Sequence, residues 1–373
     1  MTENRKLLYI DYFRAFTILT IVICHTTFAG SGNFLEFERF LFAGNTAFFI
    51  FIAGFLFEYL LYKFNYLTYL KKKLLNVFMP YLFTITPVAI LAALYFNEPE
   101  YTFYYLPFRQ KIFGGILFGQ TLNSPMWFIG MIAFFYVLSP IFALISKKPK
   151  IFYGITFCCI IYTITNLRPC YDAGYMAYKH RHLDLLSMYF LIYFAKSFLY
   201  FAAYWLLGML ICKKMQEHPL FWKEKMQKNS YLITAGLCFT GFLCAVGNIS
   251  AVQNLGLIKF LSLIFFFAFF VTYEKYISTH RKLHKCAIFL ADYSFGIFFL
   301  HDYLINMFQY QTPYMQYGKE VLFSISETNL QNLAIGWTMC ILILIANIVI
   351  LFCLKKILTK LGIKHTRPFI GIN

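Results

Sequence analysis

The sequence predicts an all-α, polytopic transmembrane helical bundle of about ten spans, and three observations lead there. Of the 373 residues 60% are hydrophobic and only 13% are charged, where a soluble domain carries about 25% charged residues. The apolar residues come in runs of about 20, long enough to cross a ~30 Å hydrocarbon core as a helix. Lys and Arg crowd into alternate segments between the runs, as they do when they set membrane topology. Each run is expected to be helical because lipid offers the backbone no hydrogen-bond partner, so its N–H and C=O groups must pair within the segment.

Taken in order, the expected spans are Leu8 to Phe28, Phe40 to Tyr62, Leu74 to Phe96, Met126 to Ile145 and Ile151 to Thr165. Ser187 to Ile211, Tyr231 to Ser250, Leu255 to Tyr273, Ala287 to Phe308 and Ala334 to Leu354 follow. With the N-terminus inside, the cytoplasmic segments hold 23 Lys and Arg residues and the outer segments 8, Lys259 among the latter. One missed helix would invert every later loop, so the alternation supports both the span count and cytoplasmic termini.

The net charge of +17 does not point to nucleic acid, because the cations sit in short clusters and form no continuous basic face. Most cysteines, such as Cys24, Cys158, Cys159 and Cys340, lie inside apolar runs with no Cys-x-x-Cys pair, which reads as packing and not as a disulfide framework. Asp11 and Arg14 inside the first run argue against a cleaved signal peptide, whose apolar core is uncharged. Two outer loops are long: Asn97 to Pro125, with an interfacial or re-entrant stretch from Phe103 to Phe118, and Cys170 to Leu186, with His180, Arg181, His182 and Asp184. That second loop lacks further ligands at metal spacing, so no metal is expected. With no internal repeat, and an end about 19 residues after Leu354, residues 1–373 are expected to form one membrane domain without an appended soluble one.

Ionisable groups inside a span cost about 2.5 to 3.5 kcal/mol each and usually face a protein-lined or watery interior. The first span has three, Asp11, Arg14 and His25. Asp11 and Arg14 are three apart and can pair. Eleven residues separate Arg14 from His25, which returns to within about 20° of the same helix face some ~16 Å further along the axis. The bland alternative is that the pair neutralises itself while His25 bonds a neighbouring carbonyl. Three such groups on one stripe favour function. Histidine titrates near about 6.5 and suits a general base on a hydroxyl, while arginine is an always-charged planar donor suited to phosphate. This pattern points to a phosphorylated donor at the cytoplasmic end and acceptor activation at the other.

With those residues in place the chain resembles the acyltransferase 3 family of membrane acyltransferases. Asp11-Tyr-Phe-Arg14 followed by ten residues and His25 looks like that family's first-span motif. Phe48 to Phe55 (Phe-Phe-Ile-Phe-Ile-Ala-Gly-Phe) resembles its second-span signature, with Ala53 where serine is common. Lys71-Lys72-Lys73-Leu-Leu-Asn76 and Pro80-Tyr81 are similar to the basic approach to its third span, with Asn76 where a second arginine is expected. Pro125-Met-Trp127-Phe128 resembles the start of its fourth, and the segment from Tyr293 and Ser294 to His301 its late Ser and His segment.

The resemblance implies transfer of an acyl group, most often acetyl, from cytoplasmic acyl-CoA to a hydroxyl of a cell-envelope glycan or lipid-linked sugar, at a bacterial inner membrane. His25 is then expected to be base or transient acyl carrier, supported by Arg14 and Asp11. Arg14, Lys72 and Lys73 are expected to hold the CoA. Trp127 and His301 are the candidates for the acceptor, against the alternatives of an interfacial anchor for Trp127 and a buried structural histidine for His301. Asp292 is expected near the inner end, where it can pair with Arg14 or a loop lysine, and the role of Lys196 in the sixth span is open. The competing class is a transporter or flippase for a sugar, lipid or organic ion, with the same stripe as its path. Such proteins commonly show paired halves and interrupted spans, and this sequence has no such symmetry.

Overall fold

A computed structural model describes residues 7–26, 42, 44–95, 127–166, 183–246, 255–310 and 329–372. Among the described residues the chain is helical throughout, without strands. The helices are α1 (Leu8–Thr26), α2 (Thr46–Tyr59), α3 (Tyr66–Lys73), a π-helical stretch (Leu74–Phe78), α4 (Met79–Tyr95), α5 (Trp127–Val137), α6 (Ser139–Ser146) and α7 (Pro149–Thr165). They continue with α8 (Leu183–Glu217), α9 (Pro219–Lys228), α10 (Ser230–Val246), α11 (Leu255–Thr272), α12 (Glu274–Thr279), α13 (Arg281–Tyr310), α14 (Asn329–Lys360) and α15 (Arg367–Ile370). Each of the ten expected spans overlaps helix among the described residues, the fourth being divided between α5 and α6. Four described helices are long and apolar enough to cross a membrane, or five if α5 and α6, bent by 54°, make one span.

Proline chemistry explains both departures from a straight α-helix. Pro80 has no N–H for the carbonyl of Asn76, four residues back, so the helix widens there and the Met79 N–H turns to Leu74 O, five residues back. Pro140 deprives Tyr136 O of its helical donor in the same way. The Ser139 hydroxyl donates to that carbonyl instead at 2.7 Å, and the Tyr66 hydroxyl donates to Val137 O at 3.2 Å, so the bend leaves two carbonyls satisfied by side chains.

Helices in a bilayer gain little from burying apolar surface against each other, so close association depends on small residues that let backbones meet. The most extensive helix pair, α2 with α8, is built this way. A Cβ on Gly54 would run into the carbonyl of Trp205, and one on Gly208 into the carbonyl of Phe51. The second-span signature therefore has a structural reading: Gly54 is where α8 crosses. Beside this contact Phe51, Phe55 and Trp205 are fully buried among stacked and edge-on aromatic rings.

Helix α1 lies against α13, α14, α11 and α2, with α13 its main neighbour. Three contacts define how α1 and α13 run. The Tyr12 hydroxyl shares a hydrogen bond with His284 Nδ1 at 2.7 Å, Arg14 Nη2 lies 3.8 Å from Asp292 Oδ1, and the ring of His25 lies 5.4 Å from that of His301. The contacts advance together along both chains, so the two helices are parallel.

One expectation is corrected. Lys259, counted with the outer segments, is buried inside α11 at 2% exposure and donates from Nζ to Asn45 Oδ1 at 2.8 Å. It spaces helices in the interior and signals no loop. The stretch from Phe103 to Phe118, His180, Arg181 and His182, and the side chains of Asp184 and Lys196 lie outside the described residues.

Candidate active site

The uninterrupted α1 keeps Arg14 and His25 on one stripe at opposite ends of the bundle. At the first end Arg14 Nη2 meets Asp11 Oδ1 at 3.3 Å, the pair that the i,i+3 spacing predicts, and reaches on to Asp292 of α13. Asp11 is buried, whereas Asp292 is exposed. Arg14 Nε is enclosed without a hydrogen-bond partner. A guanidinium has five N–H donors, and the two carboxylates leave part of that capacity unused.

Lys73 lies at the same end, immediately before the third apolar run. Its Nζ sits 5.2 Å from the ring centroid of Tyr69 and 4.7 Å from that of Tyr136, a cation held against two aromatic faces. The bend between α5 and α6 follows directly after Tyr136. Burial against these rings, with the like charge of Arg367 adding to it, pushes the Lys73 ammonium down from its ordinary 10.5 to about 8. Lys72 is exposed. Of the two lysines expected to hold a donor, Lys73 is the one packed against these rings.

At the second end His25 is exposed and His301 fully buried. His301 Nδ1 meets two carbonyl oxygens, Ile297 O at 3.1 Å and Phe298 O at 2.9 Å. Carbonyls only accept, so Nδ1 carries the hydrogen and Nε2 the lone pair. That Nε2 is buried without a hydrogen-bond partner, on the residue whose ring faces His25. Asp302, next in sequence, is also buried, and its Oδ2 has no hydrogen-bond partner. The side chain of Trp127, expected to bind the acceptor, lies outside the described residues; its backbone opens α5.

Sequence reasoning missed Tyr69, Tyr136 and Arg367. The two tyrosines carry no sequence signal, since only the fold brings α3 to α5. Arg367 did carry one. Thr366-Arg-Pro-Phe-Ile-Gly371 has the cap residue, early proline and terminal glycine of a short helix, with apolar residues to bury.

An imidazole pair thus stands at one end of the α1 stripe and a partly unsatisfied arginine at the other. The acyltransferase 3 family model, described as an acyltransferase domain, matches residues 7–354, nearly the whole chain. The chain belongs to that family and is a membrane acyltransferase. No curated protein and no solved structure matches it.

Proposed function

We propose that this chain moves an acetyl group from cytoplasmic acyl-CoA to a hydroxyl of a cell-envelope glycan or lipid-linked sugar, at a bacterial cytoplasmic membrane. One observation carries the reading: on a single helix, a guanidinium with unused donors stands about three turns (~16 Å) from an exposed imidazole that faces a buried one. Phosphates of the donor bind at Arg14 and Lys73. The extended pantetheine arm then covers the distance to His25, where the thioester meets the acceptor.

His25 acts as general base. The acceptor hydroxyl gives its proton to His25 as its oxygen attacks the thioester carbonyl, the new C–O bond forms, the C–S bond breaks, and the proton passes to the leaving thiolate. His301, protonated on Nδ1, offers Nε2 as an acceptor and so favours the His25 tautomer whose other nitrogen takes the proton. Asp11 keeps Arg14 in place. Acetyl is favoured by the resemblance of the motifs, and the glycan acceptor by the outward position of His25 in this topology.

In this reading residues 1–373 form one domain with ten spans and both termini in the cytoplasm. Two features support the parity. Parallel α1 and α13 require an odd number of crossings between them, and seven expected spans lie there. The closing turn α15 lies at the Arg14 end, where Arg367 acts electrostatically on Arg14, as an even total requires. The test is mass spectrometry of envelope glycans from a deletion strain. Wild-type chain should restore one acyl substituent and His25→Ala should not; restoration by both would overturn the reading.

A further inference from the structure

After α14 the chain does not trail into solvent. Thr366, Ile370 and Ile372 are buried, and the Thr366 hydroxyl donates to Ile372 O at 2.8 Å. Gly371, at φ 72°, closes α15 in a left-handed turn that a side chain rarely adopts. It also makes a close approach: a Cβ there would lie 3.3 Å from Gly296 N, while one on Gly296 would lie 2.9 Å from Ile370 O. Phe369 packs edge-on against Phe83 of α4, and α15 also touches the π-helical stretch. α13, α4, α14 and the π-helical stretch thus clamp one turn of helix, and Arg367 is the charge it carries.

Arg367 is half-buried. Its turn meets α13 at Gly296, one helical turn beyond the Asp292 that Arg14 reaches, and touches the π-helical stretch that begins directly after Lys73. Its charge acts on both Arg14 and Lys73. Among the described residues neither Lys73 nor Arg367 has an acidic partner. Gathering three cations around one place costs repulsion, and a fold that fixes the third so firmly retains it against that cost. An anion with several charges removes the repulsion. We infer that Arg367 is a third donor-binding cation, closing with Arg14 and Lys73 a site for the phosphates of CoA that is completed only when the C-terminal turn is docked. The inference rests on the acyl-CoA reading and adds a residue and an element to it.

The experiment is calorimetric titration of CoA, and of the phosphate-free fragment pantetheine, into the detergent-purified full chain. Arg367→Gln keeps most of the stem and removes the charge. It should weaken CoA on the order of 10- to 100-fold, the range of a lost charge-assisted contact, and leave pantetheine unchanged. Equal CoA affinity in wild type and Arg367→Gln overturns this inference alone, and so does an equal loss for both ligands. A wild-type chain that does not bind CoA overturns the donor reading and the inference with it. Should Arg367→Gln fail to fold, Arg367→Lys decides: without the planar fork it should lose CoA affinity severalfold, and wild-type affinity would overturn the inference.

Discussion

His301 lies with its ring 5.4 Å from that of His25 and is fully buried, while His25 is exposed. The helical carbonyls of Ile297 and Phe298 fix which nitrogen of His301 carries the proton. A buried imidazole so fixed is suited to orient another group and poorly suited to exchange protons with water. In the proposed mechanism His25 handles the proton and His301 orients His25.

His25→Ala should therefore insert and fold normally yet lose acyl transfer by a factor on the order of 10² to 10⁴, the usual contribution of a general base. Steady-state kinetics beside a thermal midpoint check this. Full activity would rule out the role.

His301→Leu fills the buried site but removes the acceptor proposed to hold the His25 tautomer. It should lower kcat by about 10-fold or more with little change in KM for acyl-CoA, since the proposed phosphate site lies ~16 Å away. An increase in KM alone, with kcat intact, would place His301 in donor binding instead.

Titration of Lys73 should appear in the donor affinity. Its ammonium is pushed down to about 8 from an ordinary 10.5, so it is charged below that pH and available to phosphate. KM for acyl-CoA should rise as pH climbs through about 8, and Lys73→Arg should flatten the rise. Stability has the opposite sign: between pH 8 and 10.5 the unfolded chain binds more protons than the folded one, so stability increases with pH there. Because Arg367 contributes to the shift, Arg367→Gln should move the KM inflection upward.

Glycine substitutions should separate packing from propensity. Gly208→Ala drives a methyl into the carbonyl of Phe51, and overpacking of this kind costs about 1–3 kcal/mol or more. At Gly154 in α7 nothing lies within 4 Å of an added Cβ, so Gly154→Ala should be neutral or stabilise by up to about 1 kcal/mol. Thermal midpoints in one detergent compare the two. A destabilised Gly154→Ala beside an intact Gly208→Ala would contradict the packing of α2 on α8.

What the sequence revealed was local. Runs of 20 apolar residues become helices wherever lipid is the solvent, and the Arg14 to His25 stripe needs only 3.6 residues per turn to be seen. The Asp11 to Arg14 pair is likewise a matter of spacing along one helix. Contacts between distant segments were less legible. His301 was expected to share the His25 cavity only through its depth in the ninth span, and the Lys73 to Tyr136 contact depends on the packing of α3 against α5. Lys259 and Arg367 were read as topology charges because composition registers a cation without showing whether it is docked. In Lys259 the clue was its place inside an apolar run, and in Arg367 the capped turn around it.

The most direct measurement is the stoichiometry of thiol release in proteoliposomes supplied with labelled acetyl-CoA and envelope glycan. One free CoA thiol should appear for each acetyl group found on the glycan, and His25→Ala vesicles should yield neither. Glycan moving across the vesicle membrane with no CoA consumed would contradict the account and identify the stripe as a translocation path.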